Sequence, residues 1–402
     1  MFESCFKSYW TVTITENRHD SRALWSQVNA LLKPPPAIAT DSPSADDFAT
    51  HFRAKVNSIR SATASAPVPD IEPRTIPCLS DFEVVTTAEV MALLKKVPPK
   101  HCTLDPAPTW LIKKAAVVLA PVLCHMCNAS LSSGTLPNSQ KHATVHPLLK
   151  KPKLDPDNLN SYRPISNLTF TSKLVERVVA ARFLKHVDHH KLLPERQSAY
   201  RHLHSTESAI AAVHNDLVCA ADADQVAALV LLDLSSAFDT VDHDILLSVL
   251  ERRFGVDGIA LRWFRSYLED RTQVFVVNGN SSAIHRVSCS VPQGSVLGPL
   301  GFISYTEDVT LVFKRHNIQH HLFADDKQAY ASAPLHGFDD VRDRLHDCTT
   351  DISNWCASRR LQLNEGKTEL AWFGKRSRLV QLASMELTVT VGASVIQPSS
   401  VV

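Results

Sequence analysis

Residues 319–332 read QHHLFADDKQAYAS, a segment whose apolar character stops at two adjacent carboxylates, Asp325 and Asp326, and then resumes in alternation. Neighbouring acids repel each other, and their charge is costly to remove from water. The flanks at 318–324 and 328–330 carry strand patterning, which predicts a hairpin with the acids at or beside its turn. Two readings are open. The acids form a solvated turn, or a cation sits against them. The second reading needs a third acid delivered by a rigid element, and residues 226–233, VAALVLLD, offer one. That short continuous apolar run suits a strand buried on both sides, and it ends in Asp233. If the two elements are neighbours in one sheet, three carboxylates converge.

Converging carboxylates stay ionised cheaply only beside a cation. Oxygen ligands select hard cations, and Mg²⁺ fills its remaining positions with waters and substrate phosphates. Two such ions, about 3.5–4 Å apart, clamp the attacking and leaving oxygens of an in-line phosphoryl displacement. The predicted chemistry is metal-assisted phosphoryl transfer. The acids alone leave a polymerase and a nuclease equally open.

Around these acids lies a chain of 402 residues, long enough for two or three domains. With 42 basic and 41 acidic residues the net charge announces no nucleic-acid partner, although a local basic groove is compatible with it. Nine cysteines at irregular spacing do not form a disulfide framework and point to a reducing, intracellular setting, nucleus or cytoplasm undetermined. Cys124 and Cys127 lie three apart in a helix-like run (WLIKKAAVVLAPVLCHMCNASL), where buried thiols are the simpler reading than half a zinc site. No secretory signal is visible, and the longest apolar runs, around 115–123 and 226–232, are too short to cross a bilayer.

Helices are predicted over 21–32 and 45–60, separated by the proline run Lys33-Pro34-Pro35-Pro36. A loose Ser/Ala/Pro-rich stretch covers 61–81. A helix follows at 87–96, capped by Thr87, and others at 171–186, 243–254, 259–268 and 341–355. Residues 272–290 read as a hairpin turning at Asn278-Gly279. The basic run Lys150, Lys151, Lys153 and Arg163 is a wet surface or a nucleic-acid contact. Strands and helices mix without regular alternation, so the fold class is α+β.

Four segments occur together and in order: LLDLSSAFDTVDH (231–243), VPQGSVLGPLGF (291–302), LFADD (322–326) and LQLNEGKTE (361–369). In order and approximate spacing they resemble motifs A, B, C and D of the reverse transcriptases of LINE-type, non-LTR retrotransposons, in particular the jockey-like and chicken-repeat-like branch. Upstream, DPAPTWLIK (105–113), residues 141–179 and ERQSAYRHLHSTESAI (195–210) resemble that family's finger motifs, and the opening segment resembles its connector. The resemblance implies right-hand polymerase fingers and palm with an antiparallel palm sheet and the thumb largely absent. The expected organisation is a helical connector and linker at 1–80, N-terminal helices and fingers at 81–222, palm at 223–375, and the start of a truncated thumb at 376–402.

Carried across by motif, the resemblance makes Asp233, Asp325 and Asp326 the metal ligands, with the Leu234 carbonyl as an extra one. It makes Phe238 the aromatic gate against a ribose 2′-hydroxyl. Gln293 and Gly294 become the turn against the incoming nucleotide, and Lys367 a general acid for the departing pyrophosphate. Arg163 and Arg201 meet triphosphate or template. Asp239 and Asp242 receive no metal and are expected to make structural hydrogen bonds. The implied activity is RNA-directed DNA polymerisation with two Mg²⁺ ions (or Mn²⁺), using an RNA template, a DNA primer and dNTPs, with no membrane partner. The alternative is a catalytically impaired nucleic-acid-binding remnant. An RNA-copying RNA polymerase shares the palm, but Phe238 and the FADD run speak against it. Departures from the family pattern are Ala199-Tyr200 where Gly-Phe is usual, Lys327 where Thr is common, and Gly301 and Ser304 at positions usually apolar.

Overall fold

The strand Val226–Leu232 is apolar at every position because both of its faces are covered. Ala228, Val230 and Leu232 join the main core, while Ala227 and Leu229 pack against Val213, Leu217 and Ala220 of the helix Thr206–Asp222. The two-residue period of a strand divides the run between two layers, each buried Val or Leu contributing roughly 1.5–3 kcal/mol.

The computed structural model describes residues 10–11, 14–15, 43–98 and 102–399; the expected helix at 21–32 and the proline break at 33–36 lie outside them. Residues 44–154 and 158–402 form one unit. The other takes in 1–43 and 155–157; within it Thr15 Oγ1 donates to Thr11 O, and Asp157 N–H to Asp155 Oδ1.

The larger unit opens with α1 (Ala45–Ala62), α2 (Thr87–Lys96), α3 (Thr109–Lys114) and α4 (Ala116–Ser133). Then come β1 (His142–Leu149), β2 (Tyr162–Asn167), α5 (Phe170–His189), α6 (Thr206–Asp222) and β3 (Val226–Leu232). Next are α7 (His243–Phe254), α8 (Gly258–Leu268), β4 (Arg271–Val277), β5 (Asn280–Ser281) and β6 (His285–Val287). The chain continues through α9 (Leu297–Tyr305), α10 (Val309–Arg315), β7 (Gln319–Phe323), β8 (Asp326–Ala333), α11 (Phe338–Ser358) and β9 (Glu369–Phe373). It closes with α12 (Arg376–Leu382), β10 (Val389–Val391) and β11 (Ser394–Ile396).

A four-stranded sheet runs β7-β8-β3-β9, every pairing antiparallel. Leu232 pairs with Lys327 and Phe323 with Asp326, so the end of β3 lies beside the β7–β8 turn. A second sheet runs β2-β1-β4-β5 with β6 also on β4; β1 and β4 are parallel and come from either side of the expected finger–palm boundary. Asn278 and Gly279 both take positive φ (50° and 83°), giving the expected tight turn between β4 and β5. The fold is mixed, with the sheet that carries the acids wholly antiparallel.

α1 starts at a capping box in which Ser44 and Asp47 satisfy each other's backbone donors. Its apolar face, Phe48 and Phe52, packs on Phe275 and Tyr162 of the second sheet. α1 is therefore built onto the strands. α2 is capped by Thr86, one residue before the expected Thr87; its side chain accepts from Glu89 N–H. The run at 110–131 is two helices, broken at Ala115, with Cys124 and Cys127 buried in the core. α4 outlasts the apolar stretch seen in the sequence and reaches 18 residues, one helix among those described that is long and apolar enough to cross a membrane. Its Ala116, Ala120, Cys124, Cys127 and Leu131 face the protein core.

Candidate active site

The three acids meet. One carboxylate oxygen from each of Asp233, Asp325 and Asp326 lies within 4.8 Å of the others, and all three residues are at least partly open to solvent. β3 delivers Asp233 at its end, and a two-residue turn, Ala324-Asp325, delivers the pair. Ala324 sits at φ +57°, a region that favours glycine, and Gln197 braces it by accepting the Ala324 N–H at 3.3 Å. The loop around Gln197 makes an isolated parallel bridge to β7, with Ser198 N–H donating to Leu322 O and Leu322 N–H to Arg196 O. Burial, then repulsion from Asp325 and Asp233, pushes the Asp326 carboxyl above its ordinary range, while Lys327 and Lys367 pull it back. A cluster of hard oxygen donors whose members repel one another fits a divalent cation.

Lys327 does not enter the cluster. Strand alternation sends it to the opposite face from Asp326, where it is buried and its Nζ donates to the Asp325 carbonyl at 3.2 Å. Lys367, from the 361–369 motif, does enter: its Nζ pairs with Asp233 Oδ2 at 2.8 Å. Asn364 ties that motif down, donating its backbone N–H to Asp233 O at 2.9 Å. Leu234 bridges to Leu363 and its side chain is buried.

Two loops close the site from the side. Phe238 stacks on Phe302 with ring centroids 4.6 Å apart. Val291 N–H donates to Phe238 O and Ser290 N–H to Val241 O, zipping the two motifs together. Gln293 Nε2 donates to Asp239 Oδ1 at 2.9 Å, and Asp242 caps α7 and pairs with Arg60, so both acids make structural bonds. Gly294 has φ +107°, and a Cβ there would stand 2.6 Å from Ser166 O. Only glycine fits so close to β2, where Ser166 N–H donates to Gln293 O at 2.7 Å.

Cations gather near the acids as well. The Lys150 ammonium is held below its ordinary range by burial first, then by Lys55, Lys367 and Arg163, while Asp233 acts the other way. Arg163 is exposed on β2, and Tyr200 feels both it and Asp325. Arg201 turns inward: its Nη1 donates to the carbonyls of Pro194 and Gln197, bracing its own loop. Between α1, β4, β6 and the Gln293 loop lies a cavity of about 750 Å³ lined by Arg53, Arg60, Arg271, Arg286 and Arg360. Arg271 is buried, yet its Nη2 has no hydrogen-bond partner among the described residues.

Sequence reasoning missed Lys55, Gln197, Asn364 and Glu176. Glu176 is fully buried on α5, and its Oε2 accepts the N–H groups of Val296 and Leu297 at 2.7 and 3.0 Å, capping α9 from across the fold. A lone Glu in the apolar stretch LVERVV was the only available signal.

Residues 149–386 match the family model described as reverse transcriptase (RNA-dependent DNA polymerase). The chain belongs to that family. Among curated reverse transcriptases, it is 27% identical over 363 residues to the "Probable RNA-directed DNA polymerase from transposon BS" of Drosophila melanogaster, covering 88% of this chain and 39% of that protein. The same fly's "RNA-directed DNA polymerase from mobile element jockey" is 32% identical over 232 residues, 57% of this chain and 25% of the relative. Its counterpart in Drosophila funebris is 26% identical over 292 residues, 70% and 31% of the two chains. The reverse transcriptase chain thus spans two-fifths or less of these relatives' lengths. The jockey-like, non-LTR resemblance read from the motifs holds.

Proposed function

We propose that this chain is the RNA-directed DNA polymerase portion of a jockey-like retrotransposon protein, extending a DNA primer on an RNA template with dNTPs. The observation that carries the reading is the meeting of Asp233 with Asp325 and Asp326 at the edge of one antiparallel sheet. Asp233, Asp325 and Asp326, with the Leu234 carbonyl, would hold two Mg²⁺ ions. Bound there, the ions supply charge neutralisation on the phosphates and activation of the primer 3′-hydroxyl.

The chain's own side chains do the rest. Lys150, Arg163 and Lys55 draw the triphosphate toward the acids. The Phe238 ring is backed by Phe302, a support that suits a rigid gate against a 2′-hydroxyl. Gln293 bonds the sugar from the side, and Gly294 lets the backbone come close. The Lys367 ammonium stands beside Asp233, where it can protonate departing pyrophosphate. Arginines of the cavity suit the phosphates of the template strand. The alternative, a catalytically impaired nucleic-acid-binding remnant, drew in part on Lys327 beside the acids; that ammonium bonds the Asp325 carbonyl from beneath the turn.

The test is incorporation of labelled dTTP on a poly(rA)–oligo(dT) substrate with Mg²⁺. Asp233→Asn and Asp325→Asn should each remove at least about a thousandfold of the rate, in keeping with the loss of a charge-stabilising group. Incorporation that survives both changes would overturn the assignment.

A further inference from the structure

Gln293 lines the cavity beside the gate, and one end of its amide is already committed. Its Nε2 donates to Asp239 Oδ1 at 2.9 Å, while Oε1 has no hydrogen-bond partner among the described residues. A carboxylate only accepts, so it can pair with the NH₂ end of an amide and not with the oxygen. Asp239 is itself fixed: its N–H donates to Ser236 O, and Cys289 Sγ approaches its carbonyl. Across the gap Ser166 N–H holds the Gln293 carbonyl, so the glutamine backbone is pinned while its side chain is turned by one partner.

We infer that Asp239 is a positioning residue that sets which end of the Gln293 amide faces the nucleotide, presenting Oε1 as a hydrogen-bond acceptor. This rests on the proposed function, in which Gln293 meets the incoming sugar. On the minor-groove edge beside the sugar, paired adenine, thymine and cytosine offer no donor, and guanine alone keeps an N2–H. On a deoxyribose the remaining donor is the 3′-hydroxyl. The acceptor fixed by Asp239 therefore selects nucleotides that carry a 3′-hydroxyl, and a dideoxynucleotide has nothing to offer it. Burial pushes the Asp239 carboxyl up to about 6, so the accepting form prevails at neutral pH.

Single-nucleotide addition with dTTP and ddTTP tests the inference. Asp239→Leu, close in shape but without an acceptor, should raise the KM for dTTP about tenfold, change kcat less than twofold and leave the KM for ddTTP unmoved. Asp239→Asn should raise the dTTP KM only two- to threefold, because its amide can accept in one of two orientations. Gln293→Glu alone sets two carboxylates face to face and should match the leucine variant. Adding Asp239→Asn to it restores a donor–acceptor pair with an oxygen still facing the nucleotide, and should bring the dTTP KM back to within twofold of the parent. A suppressed defect of this kind is not expected of a residue that merely supports the loop.

Equal rises for dTTP and ddTTP, or no recovery in the double variant, would overturn the role of Asp239. If Gln293→Ala itself leaves both KM values unchanged, the contact between Gln293 and the sugar falls instead. If it raises the dTTP KM while Asp239→Leu does not, only the present inference falls. Thermal unfolding of each variant checks the fold, and Asp239→Ala, which also lacks an acceptor, carries the expectation of the leucine variant should that one fail to fold.

Discussion

Lys367 Nζ stands 2.8 Å from Asp233 Oδ2, so the last of the four motifs places its cation on the first motif's acid. The pair offsets charge in a cluster whose members repel one another, and it competes with any divalent ion for the same oxygen. Lys367→Met should tighten Mn²⁺ binding a few-fold in a calorimetric titration of the protein without nucleotide. The same change should slow single-turnover incorporation by about 100-fold or more, the size of a lost general acid. Unaltered Mn²⁺ affinity would mean the ion pair has no weight.

Glu176 holds the start of α9 through two backbone N–H groups and is wholly enclosed. Glu176→Leu keeps much of the volume but removes the Oε2 that accepts both N–H groups, leaving them unsatisfied. The expected cost is about 1–3 kcal/mol of unfolding free energy, read from denaturant titration. A stability equal to the parent's would show that the helix start is held by other contacts.

Proton linkage at Asp239 has a definite sign. Its carboxyl rises from 3.8 to about 6 on folding, so the folded state binds the proton more tightly than the unfolded chain. The stability tied to the neutral form is complete below pH 4 and is lost as pH climbs through 6. Asp239→Asn should flatten the fall in stability between pH 4 and 7 by about 1–3 kcal/mol, measured by denaturant midpoints across that range. A parallel pair of profiles would argue against the shift.

Arg286 is exposed on β6 at the wall of the arginine-lined cavity. If a strand's phosphates run there, Arg286→Ala should lower the slope of log affinity for RNA against log salt by about 0.7–0.9, one phosphate's share. Affinity should weaken similarly for unrelated sequences. Fluorescence anisotropy at several salt concentrations decides it, and an unchanged slope would move the strand elsewhere.

What could be read from residue order was whatever repeats at short range. The seven apolar positions of β3, the Asn278-Gly279 turn and the break of apolar character at Asp325 are all local signals, and each element formed where the pattern placed it. The meeting of Asp233 with Asp325 and Asp326 followed once both elements were assigned to one sheet. Side chains whose partners lie far along the chain carried no such signal. Gln197 meets Ala324 across 127 positions and Glu176 meets Val296 across 120, and neither neighbourhood in the sequence hints at the other. Arg201 shows the converse: a motif position suggested a phosphate, while the folded loop uses the guanidinium on its own carbonyls.

The docking of α1 also bears on how a workable recombinant piece should be cut. The family match starts at residue 149, yet β1, the strand between β2 and β4, ends there, and the aromatic cover on Phe275 and Tyr162 comes from residues 48 and 52. A clone trimmed to the match would lose the middle of a sheet and leave greasy rings bare, an invitation to precipitation. A piece meant for the bench should begin ahead of Ser44, where the capping box of α1 starts.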